Sequence, residues 1–335
     1  MPVEQIIEAA EDISFWDVLE TLFAIIEFPA VTLLTAVLIE ILLPISSSWK
    51  LTGLVFYFEK ISRKVNKKEN STGQIIFSSI VLPFFILVVA LLIAFFLRFV
   101  INYDAIVALL VLPFVMDSKY CFPTALKVKH ALLDGKKDKA RQQLQTIMHR
   151  DCSKLSEMGI NKALSEAIGI SVFANWFSVL VWYMLLGIEG AVMMQLVAVM
   201  ARAFSIKKER YVVFGAFSYK VEQIMLLPAA VCLFVMMLFS ISCFRVLRNF
   251  ISHITMFSSS TSGLILDWLG SYANVSLGGP RYYGTSLIRL PRFGGVNNPD
   301  IKTPLKIYNK MRFCGILFVC VCVLVSVFVT SDLSV

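Results

Sequence analysis

The sequence predicts an all-α, polytopic integral membrane protein with about five to seven membrane helices joined by basic, partly helical loops. Of its 335 residues, 58% are apolar and only 16% are charged, and the mean hydropathy is +0.76. Soluble domains carry about a quarter charged residues, so this shortage of charge is expected where much of the surface faces lipid. Several apolar runs also approach the ~20 residues that a helix needs to cross a ~30 Å hydrocarbon core.

The charge pattern predicts how the spans are oriented. Apolar runs occur at about 23–45, 75–100, 104–117, 168–187, 188–204, 224–244 and 313–330. Loops 46–74, 118–167 and 205–223 are basic, whereas the short turns at 102–104 and 187–190 hold no Lys or Arg. The positive-inside rule therefore places the basic loops in the cytoplasm of a multi-pass protein of the bacterial inner membrane. These loops account for the formal charge of +8, so the lipid bilayer is the predicted partner and nucleic acid is not.

Two regions depart from this pattern. Residues 1–22 are acidic and lack the basic start of a signal peptide, which predicts an amphipathic N-terminal extension ahead of one membrane domain at 23–335. Loop 245–312 follows six spans and should lie outside, yet it holds nine Lys or Arg. Either the charge rule fails for this long loop, or one segment does not cross fully. We expect the second, with 104–117 or 188–204 re-entrant or packed inside the bundle.

Several kinds of site are excluded by the residues that they would need. The seven cysteines are odd in number, form no CxxC pair and lie mostly in apolar runs, so neither a disulfide framework nor a zinc site is expected. The three histidines have no metal-ligand spacing, and P-loop, GxGxxG and HExxH motifs do not occur. The sequence thus predicts no metal site and identifies no catalytic residue.

The most distinctive motif is a loop rich in glycine and proline, SLGGPRYYG at 276–284, followed by LPRFGG at 290–295. Paired glycines with proline interrupt a helix and let the backbone approach a ligand closely. Arg281, Arg289 and Arg292 could hold a phosphate or carboxylate beside it. The alternative is a turn-rich loop whose arginines face anionic lipid headgroups.

Two polar patterns precede this loop. In HRDCS at 149–153, Arg150 and Asp151 either orient a substrate or cap and pair at the start of the helix that carries Glu166. Farther along the chain, a basic stretch leads to Glu222 and Gln223 at the mouth of an apolar span. Their carboxylate and carboxamide could hold a polar ligand, or they could belong to a solvated juxtamembrane helix.

Charged residues also occur inside two spans. Such residues are costly in a bilayer, and they usually face a bundle interior or lie near a helix end. Glu40 is therefore a candidate intramembrane polar site. Arg202 lies late in its segment and is expected to extend its side chain to the interface.

These motifs, in this order, resemble the CobD/CbiB superfamily of bacterial membrane proteins, which includes the cobinamide synthases of the cobalamin pathway and the AmpE regulators of β-lactamase induction. The resemblance runs from about residue 33 to 330. A Gly-Arg-Asp-Thr signature is matched at 149–152, and a Leu-Gly-Gly-Pro … Tyr-Phe-Gly signature at 277–284. A Pro-x-x-Gly-Asp element is matched at 291–295, and a basic-Tyr stretch with a later glycine at 207–215. The ligand-binding candidates that this resemblance implies are Arg150, Asp151, Glu166, Lys207, Tyr211, Glu222, Gly278, Gly279, Pro280, Tyr283, Gly284 and Gly294.

The chain departs from the synthase pattern where that pattern is acidic. Glu-Asn and Asp-Gly are replaced by Ile-Ser at 170–171 and Ala-Asn at 174–175. Asn-Thr-Leu-Asp becomes AVMA at 198–201, and Asp-Asp becomes Glu222-Gln223. Carboxylates hold magnesium against phosphate, so these changes predict that the synthase chemistry is lost.

Other segments resemble the AmpE branch, among them LIE at 38–40, FSVLVWYMLLG at 177–187 and Thr303-Pro304. The resemblance therefore implies a non-catalytic, AmpE-like regulator linked to cell-wall recycling and β-lactamase induction, which binds an anionic small ligand or a signalling partner at the cytoplasmic face without a cofactor. The alternative is a cobinamide(-phosphate) synthase, an ATP-dependent ligase that attaches an aminopropanol-type amine to a corrinoid carboxylate and needs ATP and magnesium. The sequence does not fix the oligomeric state.

Overall fold

Helices make up most of the chain in the computed structural model, which confirms the predicted all-α membrane class. The structure describes residues 27–43, 45–67, 69–239, 242–253, 261–283, 286–288 and 291–333, so the predicted extension at 1–22 lies outside it. The described α-helices are α1 Pro29–Leu42, α2 Val55–Val65, α3 Thr72–Ile101, α4 Asp104–Val115, α5 Phe122–Leu133, α6 Lys137–Gln145, α7 Glu157–Val172, α8 Ser178–Ala203, α9 Ala216–Leu238, α10 Cys243–His253, α11 Thr261–Ala273 and α12 Thr303–Leu333.

Four described helical segments are long and apolar enough to cross a bilayer, namely Thr72–Ile101, Glu157–Ala203, Ala216–Leu238 and Thr303–Val329. The apolar runs at 23–45 and 104–117 form shorter helices than expected, with 14 residues in α1 and 12 in α4. Such helices are only about 21 and 18 Å long at 1.5 Å per residue, less than a ~30 Å hydrocarbon core. The runs at 168–187 and 188–204 form the two helical arms of the segment Glu157–Ala203, which are separated by a break at Leu186 and Gly187.

That long segment reverses its direction at the predicted turn. Leu186 and Gly187 leave the helical conformation, and Gly187 adopts φ +66° and ψ −152°, a combination that glycine tolerates best. Farther along, the Arg202 guanidinium reaches the Asn175 side chain at 2.8 Å, although 27 residues separate them. A straight helix would hold those residues about 40 Å apart. The two arms of the segment therefore lie side by side and antiparallel.

Salt bridges identify one end of the bundle. The Arg98 guanidinium lies 2.6 Å from both the Asp104 and the Glu189 carboxylates, so the α3–α4 turn and the reversal in α8 meet there. Helix α3 ends at this level because Asn102 adopts a left-handed conformation with φ +55°. These are the two short turns without Lys or Arg in the sequence.

The basic loops gather at the other end of the bundle. Lys208 bonds Glu59 across 149 residues of sequence, at 2.8 Å. The long loop before α12 joins them, because the Gly278 amide donates a 2.7 Å hydrogen bond to the Glu166 carboxylate on α7. The part of loop 245–312 that carries Gly278 thus lies at the basic end, which the charge rule predicts to be cytoplasmic.

Short strands form within this loop, where the glycine and proline pattern predicted turns. Strands β1 Ser276–Gly278 and β4 Arg292–Gly294 pair antiparallel with Leu277 opposite Phe293. Strands β2 Arg281–Tyr283 and β3 Ser286–Ile288 pair antiparallel as well. The first pair packs on α11 beside the core, where Leu277 is fully buried. It holds the Gly278 amide against α7.

Candidate functional site

A cavity of about 490 Å³ lies where the basic loops meet α7, α8 and α9. Its wall combines apolar side chains such as Ile170 and Ala174 with eight acidic, basic or histidine side chains. Those groups come from five separate stretches of the chain and are Glu59, His149, Arg150, Glu166, Arg202, Lys207, Lys208 and Glu222. An enclosed apolar space with convergent polar groups is the usual form of a small-molecule site.

Four of the residues predicted from sequence line this cavity together, namely Arg150, Glu166, Lys207 and Glu222. Arg150 and Glu166 are both buried, and their charged atoms lie 3.4 Å apart. Glu166 lies on helix α7, whose start is fixed by its N-cap residue Ser156. The Ser156 hydroxyl accepts a hydrogen bond from the Gly159 amide at 3.1 Å.

Asp151 and Tyr211 lie outside the cavity lining, as do Gly278, Gly279, Pro280 and Gly294. Asp151 is exposed, and its carboxylate accepts a 2.8 Å hydrogen bond from the Ser153 amide. This bond, with one from the Ser153 side chain, lowers the pKa of Asp151. Tyr211 is buried between Phe204 and Phe214, and its hydroxyl lies 2.9 Å from the Ser62 hydroxyl. In the structure the Asp151 carboxylate therefore stabilises a local turn, and the Tyr211 hydroxyl contacts helix α2.

The glycine-rich loop touches the site through backbone. Gly278 has φ +75°, and a β-carbon there would lie 2.4 Å from the Pro291 carbonyl oxygen. Gly279 lies within reach of the Lys162 ammonium group. Gly294 lies farther back, where its amide donates to the Asp267 carboxylate at 2.9 Å. Pro280 is exposed.

Only the backbone of Tyr283 is described, and Gly284 lies outside the described residues. Their part in ligand binding therefore stays a prediction from the resemblance.

One cation of the lining, Arg202, was not predicted as a site residue from the sequence. Arg202 was expected to extend toward the interface, but its guanidinium turns into the cavity wall, 4.3 Å from the centre of the Tyr120 ring. Its partner Asn175 is fully buried on a π-helical turn, Phe173–Phe177, between α7 and α8. Such turns are frequent at functional sites, and the run of polar residues at 171, 175 and 178 was the available signal.

Basic groups dominate the electrostatics of the cavity mouth. Burial raises the pKa of Glu59, but the hydrogen bonds and charges of Lys208 and Arg63 outweigh it, so its pKa lies below the usual value. Desolvation, together with the charges of Lys208 and Lys207, lowers the pKa of His149 to about 4. His149 is therefore uncharged at pH 7.

Glu40, the predicted intramembrane polar residue, belongs to a different cluster. Its carboxylate accepts a 2.7 Å hydrogen bond from the Lys50 ammonium group and further bonds from the Ser118 hydroxyl. Asp117 lies 3.7 Å from the same ammonium group. Glu40, Lys50 and Asp117 are all at least 97% buried where α1 and α4 end.

Replacing Glu166 by alanine is expected to release the glycine-rich loop. The change removes the acceptor for the Gly278 amide and the partner of buried Arg150, and each such loss costs about 1–3 kcal/mol. Limited proteolysis should cut segment 276–294 faster in Glu166→Ala than in the wild type. Glu157→Ala is the matched control, because it removes an exposed carboxylate from the same helix. Equal cleavage of Glu166→Ala and Glu157→Ala would show that Glu166 does not hold the loop.

Comparison with known proteins identifies relatives of one kind. The family model described as CobD/Cbib protein matches residues 33–314. The "Cobalamin biosynthesis protein CobD" of Chromobacterium violaceum is 27% identical over 187 residues, which cover 55% of this chain and 60% of that protein. The protein of the same name from Clostridium perfringens is 26% identical over 213 residues, or 61% of this chain and 65% of that protein. The chain thus spans less than two thirds of these relatives, and no solved structure matches it.

Proposed function

Because this chain belongs to the CobD/CbiB family, we propose that it serves the amide-forming step of cobalamin biosynthesis at a membrane. In that step, as the resemblance to cobinamide synthases implies, an aminopropanol-type amine is joined to a corrinoid carboxylate, and the hydrolysis of ATP drives the loss of the carboxylate oxygen. One observation carries the proposal: family-matched residues from distant parts of the chain, Arg150, Glu166, Lys207 and Glu222, line one cavity. The names of the relatives support cobalamin biosynthesis.

The charges of the lining suit the two substrates of such a step. Lys207 and Arg202 provide cationic donors for a carboxylate or phosphate group. Glu222 provides a carboxylate that can pair with an ammonium group. Glu166 also accepts the hydrogen bond from the Gly278 amide, which ties the glycine-rich loop to a residue of the lining.

Magnesium, which the synthase resemblance implies, does not fit the donors that the cavity offers. The Glu59 carboxylate accepts from Lys208 at 2.8 Å and from Arg63 at 3.3 Å. The Glu166 carboxylate accepts from the Gly278 amide and lies against Arg150. Glu222, the third carboxylate of the lining, is within the influence of the Arg202 and Lys207 charges, so each lining carboxylate already faces a cation. The carboxylates of this cavity therefore do not form a magnesium site.

A second candidate function is ligand binding without catalysis. It is favoured by the apolar residues Ile170, Ala174 and Ala201, which line the cavity. Each of them stands at a position where the synthase pattern has an acidic residue. An AmpE-like role in β-lactamase induction draws no support from relatives named for cobalamin biosynthesis. A location in the bacterial inner membrane agrees with the apolar helices and with the charge pattern, and we include it in the proposal.

Growth of a bacterial strain that lacks its own cobinamide synthase separates the two functions. We expect the chain to restore growth that depends on cobalamin synthesis, and we expect Arg150→Ala to abolish that rescue. Lys127→Ala is the matched control, because it removes one exposed cation of α5 that does not line the cavity. Absence of rescue by wild-type protein that is present in the membrane would contradict the synthase proposal and favour ligand binding alone.

A further inference from the structure

The cavity contains a fixed cation that is part of the chain. The Arg202 guanidinium is held in place by the Asn175 amide oxygen at 2.8 Å and by the face of the Tyr120 ring at 4.3 Å. Asn175 is itself fixed, since its amide nitrogen donates to the Ser171 carbonyl at 2.8 Å and to the Ser171 hydroxyl at 3.0 Å. A guanidinium braced in this way is preorganised, so little side-chain entropy is lost when it binds a ligand.

Part of this cation is still available for bonding. The Arg202 Nη1 atom is buried at the cavity wall and has no hydrogen-bond partner among the described residues. A buried donor without a partner has lost its hydrogen bonds to water, so a ligand that accepts its hydrogen bond would compensate that loss. Lys207 lines the same cavity, whereas Lys208 is already paired with Glu59.

We propose that Arg202 is the anchor of a phosphate-type oxyanion in this cavity, and that this oxyanion binds without a divalent metal ion. The inference rests on the proposed use of the cavity as a ligand site, but not on any reaction there. A guanidinium presents paired donors that match the oxygens of a phosphate group. A divalent cation placed close to that guanidinium would be repelled by its positive charge. The lining has apolar side chains at Ile170, Ala174 and Ala201, and its Glu222 carboxylate is already influenced by the charges of Arg202 and Lys207.

The oxyanion could belong to a soluble phosphate compound or to the headgroup of an anionic lipid. Both present a phosphate group to Arg202. Both could also reach the cavity, because it lies at the basic end of the bundle, where loops meet the predicted membrane surface. The lipid composition of the test system separates these two sources.

The test measures binding of inorganic pyrophosphate to the full chain in nanodiscs of phosphatidylcholine alone, once with EDTA and once with added Mg²⁺. We expect the same Kd in both buffers for the wild type. Arg202→Ala should raise Kd by roughly 10- to 100-fold, the effect of losing one charge-assisted pair of hydrogen bonds. Arg202→Lys should give an intermediate Kd, because an ammonium group keeps the charge but not the paired donors. Lys127→Ala should bind like the wild type.

The parallel arm asks by native mass spectrometry whether the wild type retains phosphatidic acid and whether Arg202→Ala does not. Arg202-dependent binding of either probe supports the anchor and identifies its source. Pyrophosphate binding that requires Mg²⁺, or retention of neither probe, would overturn the proposal. Unchanged binding by Arg202→Ala that still elutes as folded protein would do the same, and Arg202→Lys serves if Arg202→Ala does not fold. Failure of growth rescue with Arg202-dependent binding intact would reject only the synthase function.

Discussion

Lys50→Met is expected to destabilise the folded protein by about 3–5 kcal/mol, the cost of leaving buried charges without their partner. The Lys50 ammonium group lies 2.7 Å from the Glu40 carboxylate and 3.7 Å from that of Asp117. All three groups are buried, so without Lys50 two carboxylates would face each other across a space that water reaches poorly. The midpoint of thermal unfolding in one detergent is the measurement.

The double variant Glu40→Gln with Lys50→Met distinguishes a charge effect from a packing effect. It removes both members of the closest pair, and Asp117 keeps its 2.6 Å hydrogen bond from the Thr52 hydroxyl. Buried pairs replaced together are far less costly than pairs that are broken, so the double variant should recover much of the lost stability. Lys60→Met, on the exposed face of α2, is the control and should stay near the wild type. Equal stability of Lys50→Met and Lys60→Met would contradict the role assigned to the cluster.

This cluster shows where sequence reasoning reached its limit. Glu40 was recognisable as an isolated charge in an apolar run, since burial of a carboxylate requires compensation. Its partner was not recognisable, because Lys50 lies in a loop that the charge pattern predicts to be solvated. The structure instead folds that loop back against the ends of α1 and α4, where Lys50 is 3% exposed.

The long helices of the fold could be predicted from the sequence, whereas its short strands could not. Helices α3 and α12 were predictable because each contains a long apolar run. The reversal at Gly187 was predictable because this glycine lies between two apolar runs. The family was predictable from the order of short motifs along the chain. The three-residue strands were not, because pairing such as Leu277 with Phe293 is decided by contacts with α11 rather than by local propensity.

Several residues of the candidate site were predictable from sequence motifs, but Arg202 was not. Arg150, Glu166 and Glu222 were found from motifs, and the fold brings them to one cavity. Arg202 depends on a contact with Asn175 that exists only because the chain reverses between them and a π-helical turn aims the amide inward. No pattern along the sequence encodes that distance.

Gly215→Ala is expected to disrupt the cavity mouth more than any change of a lining side chain. A β-carbon at Gly215 would lie 1.7 Å from the Phe204 carbonyl oxygen and 2.9 Å from the Tyr211 carbonyl oxygen. Both neighbours are backbone atoms, which cannot rotate away as a side chain can. The segment between them carries Lys207 and Lys208, so a shift there moves two cations of the cavity. Overpacking usually costs about 1–3 kcal/mol, and a clash with two backbone carbonyls belongs at or above the upper end.

Thermal unfolding and binding of pyrophosphate together measure this effect. Gly215→Ala should lower the unfolding midpoint and weaken binding, because the loop that must move is the one that presents the cations. Gly73→Ala is the matched control: no heavy atom lies within 4 Å of a β-carbon at Gly73, near the start of α3, and alanine favours a helix over glycine by up to ~1 kcal/mol. It should therefore be at least as stable as the wild type. If both alanine variants unfold at the wild-type midpoint, the close approach of Gly215 to Phe204 does not fix the loop. If Gly215→Ala is destabilised but binds pyrophosphate normally, one of two explanations holds. Either Lys207 and Lys208 keep their positions without Gly215, or the oxyanion is held by Arg202 without these lysines.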